Sequence, residues 1–150
     1  MNPFIIADSL KCIGCRTCEV ACVVAHQTCA TVSRESFLPR IRVVKGDTFS
    51  TAVTCHQCED APCQNVCPTG AITREKECIR VEQSRCIGCK SCMLACPFGA
   101  MEVATQQARP QAIKCDLCHY REDGPACVAA CPTKALSCVD VGQTAPAILM

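Results

Sequence analysis

Tryptophan is absent from these 150 residues, tyrosine occurs once and phenylalanine four times. Aromatic side chains normally supply much of the buried area of a core. Ordinary apolar packing is therefore a weak candidate for what holds this chain together. No apolar run approaches the roughly 18 residues needed to span a bilayer. The opening segment Met1–Asp8 lacks the charged and long apolar regions of a secretory leader, so the chain reads as cytoplasmic. The dinucleotide fingerprint, the P-loop and the nucleophile elbow are all missing. Carboxylates are scattered or sit in charged turns such as Glu59-Asp60 and Glu122-Asp123, where a solvated face is the default. A basic stripe with stacking aromatics is missing too, which excludes nucleic-acid binding. No catalytic residue is visible, and the chain is not expected to be an enzyme.

Cysteine is what remains. It supplies 19 of the 150 residues, so the apolar fraction of 49% overstates the core. Sixteen cysteines fall into four runs of one shape, Cys-x2-Cys-x(2, 4 or 8)-Cys-x3-Cys. These are Cys12/Cys15/Cys18/Cys22, Cys55/Cys58/Cys63/Cys67, Cys86/Cys89/Cys92/Cys96 and Cys115/Cys118/Cys127/Cys131. Three runs continue into proline, at Pro68, Pro97 and Pro132. Such spacing favours metal over a secreted disulfide scaffold. It is the bacterial ferredoxin signature, in which three close thiolates wrap one cluster and the fourth ligates a neighbour. Sixteen ligands suffice for four [4Fe–4S] clusters. Zinc is the rival, but zinc ribbons join two Cys-x2-Cys knuckles across a long spacer, whereas the first and third runs each fit within eleven residues.

Net charge changes sign once clusters are counted. The formal value is +1, and four cluster–thiolate units of about −2 each bring the loaded chain to about −7. Lys11, Arg16, Arg85, Lys90, Lys114 and Lys134 lie beside or near ligand cysteines. About half read as a solvated face, and the remainder as tuners of potential. His26, His56 and His119 are not needed as ligands, because the cysteine count is complete. Cys29, Cys78 and Cys138 read as small apolar residues, with Cys29 in a polar loop.

The chain repeats a unit of cysteine run, proline, small turn and short apolar strand: Cys67-Pro68-Thr69-Gly70-Ala71-Ile72, Cys96-Pro97-Phe98-Gly99-Ala100-Met101 and Cys131-Pro132-Thr133-Lys134-Ala135-Leu136. Proline ends the preceding helical turn. Helical turns are expected at Arg16–His26, Lys90–Ala95 and Pro125–Ala130. Hairpins are expected at Ala71–Val81 and at Arg40–Val44 with Phe49–Val53. Segment Val103–Pro110 is polar and reads as a crossing between lobes, and the tail Gly142–Met150 as poorly ordered. The spacers are 32, 18 and 18 residues. The second and third runs flank a hairpin and suggest one lobe, with the first and fourth runs pairing across the chain. Strand Phe4–Ala7 would then lie near Ala135–Val139. Spacing alone leaves open the rival pairing of first with second and third with fourth.

The stretches Phe4-Ile5-Ile6-Ala7-Asp8 and Cys12-Ile13-Gly14-Cys15-Arg16-Thr17-Cys18-Glu19-Val20-Ala21-Cys22 resemble the four-cluster iron–sulfur subunits of molybdenum enzymes. So do Cys55-His56-Gln57-Cys58-Glu59-Asp60-Ala61-Pro62-Cys63 and Lys114-Cys115-Asp116-Leu117-Cys118 with Gly124-Pro125-Ala126-Cys127. Within that family the chain is most similar to the electron-transfer subunits of formate hydrogenlyase and cytoplasmic formate dehydrogenase. The resemblance implies an α+β fold of two nested ferredoxin lobes, 1–50 plus 110–150, and 51–109. It implies four ligand sets: Cys12, Cys15, Cys18 and Cys131; Cys55, Cys58, Cys63 and Cys96; Cys86, Cys89, Cys92 and Cys67; Cys115, Cys118, Cys127 and Cys22. It further implies a molybdenum catalytic subunit as one partner and a hydrogenase or similar acceptor as the other. A free-standing polyferredoxin, or an accessory protein for maturation of such enzymes, is the alternative. The chain has no long C-terminal extension, so membrane anchoring through it is not expected.

Overall fold

The computed structural model describes residues 3–26, 33–34, 37–76, 78–106 and 108–140. Cys29 and the tail Gly142–Met150 lie outside the described residues. Eight strands pair into four separate two-stranded antiparallel sheets among these residues, joined by four short helices. β1 (Pro3–Ala7) pairs with β8 (Leu136–Asp140), which brings the two ends of the described chain together. β2 (Arg42–Lys45) and β3 (Ser50–Val53) form one hairpin, and β4 (Ile72–Glu75) and β5 (Cys78–Val81) another. α1 (Thr17–Ala25) is the longest helix; α2 (Pro62–Asn65), α3 (Ser91–Ala95) and α4 (Ala126–Ala130) are single turns. This is the expected α+β assembly of short helices, small hairpins and loops.

Segment 103–110, read from the sequence as a polar crossing between lobes, is regular structure. β6 (Glu102–Gln106) and β7 (Arg109–Ile113) pair there as a fourth hairpin, with Glu102 opposite Ile113 and Gln106 opposite Arg109. The polar residues misled because a hairpin with one wet face carries polar side chains at alternate positions. Val103 and Thr105 supply the β-branched character that a strand favours. α2 was not anticipated either, although Pro62 at its first turn is an N-terminal helix signal.

Buried side chains form two groups. Ile5, Cys18, Cys22, Ile41, Val43, Cys115, Cys127 and Leu136 make one. Ala61, Ile72, Ile79, Cys92, Met101 and Ala112 make the other, with Cys58, Cys63, Cys67, Cys86 and Cys96 packed against it. Cysteine is thus a principal constituent of both cores, which accounts for how a chain poor in aromatics closes around an interior. Cys78 is buried on β5, as a small apolar residue should be, whereas Cys138 is exposed on β8. Cys138 therefore does not pack into a core as Cys78 does.

Ile79 is completely buried at the centre of the second group. Its replacement by alanine should cost about 2–5 kcal/mol, the usual range for truncating a large core aliphatic. Anaerobic thermal loss of the visible iron–sulfur absorbance should shift to lower temperature in Ile79→Ala. The exposed control Leu10→Ala should leave it in place.

Candidate metal centres

Four cavities among the described residues are each lined by four cysteines. Cys12, Cys15, Cys18 and Cys131 line the first, of about 320 Å³. Cys55, Cys58, Cys63 and Cys96 line the second, of about 360 Å³. Cys67, Cys86, Cys89 and Cys92 line the third, of about 330 Å³. Cys22, Cys115, Cys118 and Cys127 line the fourth, of about 270 Å³. Every run therefore turns three sulfurs toward one cavity and its last sulfur toward another. All-sulfur donor sets select iron–sulfur clusters or zinc. The interleaving of runs, three sulfurs against one, fits the cluster, since bacterial ferredoxin runs lend their fourth cysteine to a neighbouring centre.

Local sequence shapes these walls. Gly14 and Gly88 adopt φ +70° and +71°, a region that side chains rarely enter. A Cβ at Gly14 would sit 2.6 Å from Lys45 Cε, and one at Gly88 would sit 2.4 Å from Pro110 Cβ. Glycine here lets the β2–β3 and β6–β7 hairpins close over the ligand loops. After each Cys-Pro step the chain turns and an alanine N–H donates back to the cysteine sulfur. The distances are 3.3 Å from Ala71 to Cys67, 3.4 Å from Ala100 to Cys96 and 3.3 Å from Ala135 to Cys131. The first run lacks the proline, and Arg40 N–H takes this place on Cys22 at 3.3 Å.

Thiol acidity varies within the sites. Burial pushes Cys115 and Cys127 up to about 12, and Cys18 and Cys63 up to about 11. Cys15 is lowered by hydrogen bonds from Thr17, and Cys89 by hydrogen bonds from Ser91. At Cys67 and Cys131 burial opposes ionisation, yet hydrogen bonds from Thr69 and Ala71, and from Ala135 and Thr133, outweigh it. The first and third cavities thus include exposed sulfurs supplied with donors. Each of the four cavities also holds at least one sulfur whose ionisation burial opposes, Cys18 in the first, Cys63 in the second, Cys92 in the third and Cys115 in the fourth.

Of the six cations noted in the sequence, Lys11, Arg16, Arg85, Lys90 and Lys134 are exposed, and Lys114 is 2% exposed. His26 bridges Asp116 Oδ1 at 2.9 Å and the Cys22 carbonyl at 2.8 Å. Burial opposes its protonation, but Asp116 and Cys22 raise it to about 10. His26, Asp116 and Cys118 place donor atoms within 4.8 Å of one another. Asp116 is already occupied there by His26, Arg40 at 3.6 Å and the Cys118 N–H at 3.0 Å. His56 stacks between Phe4 and Phe98, with ring centroids 5.3 and 3.8 Å away. His119 stands 3.7 Å from Asp116 Oδ2 at the surface.

Sequence reasoning passed over three polar residues. Glu19 is buried and accepts the Val43 N–H at 2.8 Å, fastening α1 to β2. Arg40 donates to the Lys114 carbonyl at 2.9 Å. Gln57, fully buried between Cys55 and Cys58, donates to the Cys115 carbonyl at 2.8 Å and accepts the Ile79 N–H at 2.9 Å. Glu19 and Gln57 were signalled only by standing beside run cysteines and Arg40 by nothing local, since each acts across 18 or more residues of sequence.

The 4Fe-4S dicluster domain family matches residues 47–141, and a 4Fe-4S binding domain matches residues 9–24. The chain belongs to the 4Fe–4S dicluster family. It is 68% identical to the putative electron transport protein YsaA of Escherichia coli K12, over 94% of this chain and 92% of that one. It is 60% identical to the electron transport protein HydN of Escherichia coli K12, over 93% and 89%. Formate hydrogenlyase subunit 2 of the same strain is 42% identical, over 93% and 83%. The chain is a four-cluster iron–sulfur protein of electron transport, non-catalytic in itself. No helix among the described residues is long and apolar enough to cross a membrane.

Four clusters predict about sixteen irons and sixteen acid-labile sulfides per anaerobically purified chain. Because ligation contributes to both cores, chelating the iron under reducing conditions should abolish far-UV circular dichroism along with the visible band. A colourless protein with stoichiometric zinc, or an apo-chain with native dichroism, would contradict this.

Proposed function

We propose that each cysteine quartet ligates one [4Fe–4S] cluster and that the chain relays electrons between a formate dehydrogenase-type molybdenum subunit and a hydrogenase or similar acceptor. The single observation carrying the ligand assignment is the set of four cavities, each with three sulfurs from one run and one from another. When bound, the clusters supply one-electron chemistry without proton transfer. The residues of the chain hold and order them. Two lobes follow from this reading, 1–50 with 110–150 and 51–109. Their boundaries pass through β3 and β7, whose hairpins seam the lobes together.

Contacts order the quartets as first, fourth, second, third. The first and fourth share one buried group, and the second and third border the other. The Gln57–Cys115 hydrogen bond and the packing of Cys55 against the first group join the middle pair. Exposed Cys15 and Cys89 belong to the outermost quartets. Each outer quartet is flanked by bare apolar residues, Leu10 (94% exposed) and Ile13 at the first, Ile87 and Leu94 (88%) at the third. Two docking faces suit a relay with a donor at one end and an acceptor at the other. The similarity to formate hydrogenlyase subunit 2 supports formate and hydrogen chemistry as the setting. YsaA and HydN bear only the name of electron transport proteins, which favours, as a second reading, a free-standing carrier.

Affinity capture from formate-grown anaerobic cells should recover a molybdopterin subunit or a hydrogenase subunit. A partner-free, monodisperse chain in the same extract would favour the carrier. Leu10→Glu and Leu94→Glu should each weaken capture of a different partner by about tenfold at unchanged iron content.

Cys131→Ala should remove the EPR signal of the Cys12/Cys15/Cys18 cluster and spare that of Cys86/Cys89/Cys92. Loss at the third run instead would overturn the quartets and the lobes together.

A further inference from the structure

Lys114 follows β7 and directly precedes Cys115, and its side chain points inward rather than to water. Its ammonium donates to the Cys115 carbonyl at 2.8 Å, to Gln57 Oε1 at 3.3 Å and to the Ile79 carbonyl. Those three bonds use all three N–H donors. All three acceptors are neutral. Among the described residues no carboxylate forms an ion pair with Lys114. A buried charge satisfied in hydrogen bonding but unopposed in charge is costly. Something else on the inside of the molecule must oppose it.

The surroundings supply the opposing charge. Lys114 lines the second cavity together with Cys55, Cys58, Cys63 and Cys96. Its neighbour Cys115 lines the fourth cavity. The ammonium therefore borders the second quartet directly and is bonded to the backbone of Cys115 in the fourth, while the exposed cations of the surface are screened by water. We propose that Lys114 is the internal counter-ion of the two inner clusters and raises their reduction potentials relative to the outer two. This rests on the quartets proposed above. Reduction adds one negative charge to a cluster, so a fixed positive charge nearby stabilises the reduced form more than the oxidised one. One electron is taken up per cluster, with dithionite as donor in the test below. No bond is made or broken at Lys114. The inner pair then accepts electrons readily from either end, instead of standing as a barrier of stacked negative charge in the middle of the relay.

The test is an EPR-monitored redox titration of the full-length protein carrying Lys114→Met, Lys114→Gln or Lys114→Arg, with iron content measured in parallel. The exposed Lys11→Met serves as control. In the neutral variants the reduction equilibrium of at least one cluster should fall tenfold or more, which is about 59 mV for a one-electron couple. Lys114→Arg should stay within threefold of the wild type, and so should Lys11→Met. A purely structural role would lower stability and leave midpoints alone. Unchanged midpoints in a fully loaded Lys114→Met protein overturn the proposal. If neither neutral variant assembles four clusters, Lys114→Arg decides: full assembly supports the charge requirement, and failure overturns it. The quartets are tested separately, by which EPR signal disappears in Cys96→Ala. Failure of the assignment is thereby distinguishable from failure of the Lys114 proposal.

Discussion

Ligation of iron by thiolate sulfur is the interaction on which this fold depends, because the chain has little else with which to build an interior. The two buried groups are assembled from a few aliphatic residues and many cysteines. Burial pushes Cys115 and Cys127 to about 12, so their ionised forms are unfavourable in the protein alone. A metal cluster reverses that preference, and folding and cluster binding become one equilibrium. The short strands and single-turn helices follow as consequences. Isolated two-stranded hairpins and one-turn helices are marginal in water, and here every helix carries at least one run cysteine while the hairpins pack beside the runs.

Charge is the second constraint. Each [4Fe–4S] cluster with its four thiolates brings about two negative charges into a small volume, and the fold answers with N–H groups aimed at sulfur. Ala71, Ala100, Ala135 and Arg40 each donate a backbone N–H to the final cysteine of a run. Thr17, Ser91, Thr69 and Thr133 add donors at the first and third quartets. In the middle, where hydroxyl donors are fewer, Lys114 and Gln57 tie the fourth run to β5 and to the second run. The same contacts that fasten the two halves also set the electrostatic surroundings of the inner sites. Structural cohesion and redox environment are one network there.

Much of the architecture is legible in local spacing. Cys-x2-Cys-x2-Cys demands a tight loop, Gly14 and Gly88 supply its left-handed turns, and Pro68, Pro97 and Pro132 end the helical turns before them. The hairpins over 42–53 and 72–81 and the β1–β8 pairing were expected from short apolar runs around turn residues. The β6–β7 hairpin was not, because polar strands with a wet face mimic a linker. Pro62 announced α2 only to a reader looking for a helix of four residues.

The sequence by itself determined the donor chemistry and the number of centres, since ligand type and spacing are properties of neighbours along the chain. It could not decide which last cysteine meets which triplet, because equal spacers of 18 residues serve either pairing. Nor could it tell Lys114 from Lys11 or Lys134, all of them cations beside ligand runs. Tertiary structure separates them: Lys114 is 2% exposed and lines the second cavity, whereas the others face water. Proximity in sequence is shared by all three, whereas burial depends on how β5, β7 and the Gln57 loop fold over one another.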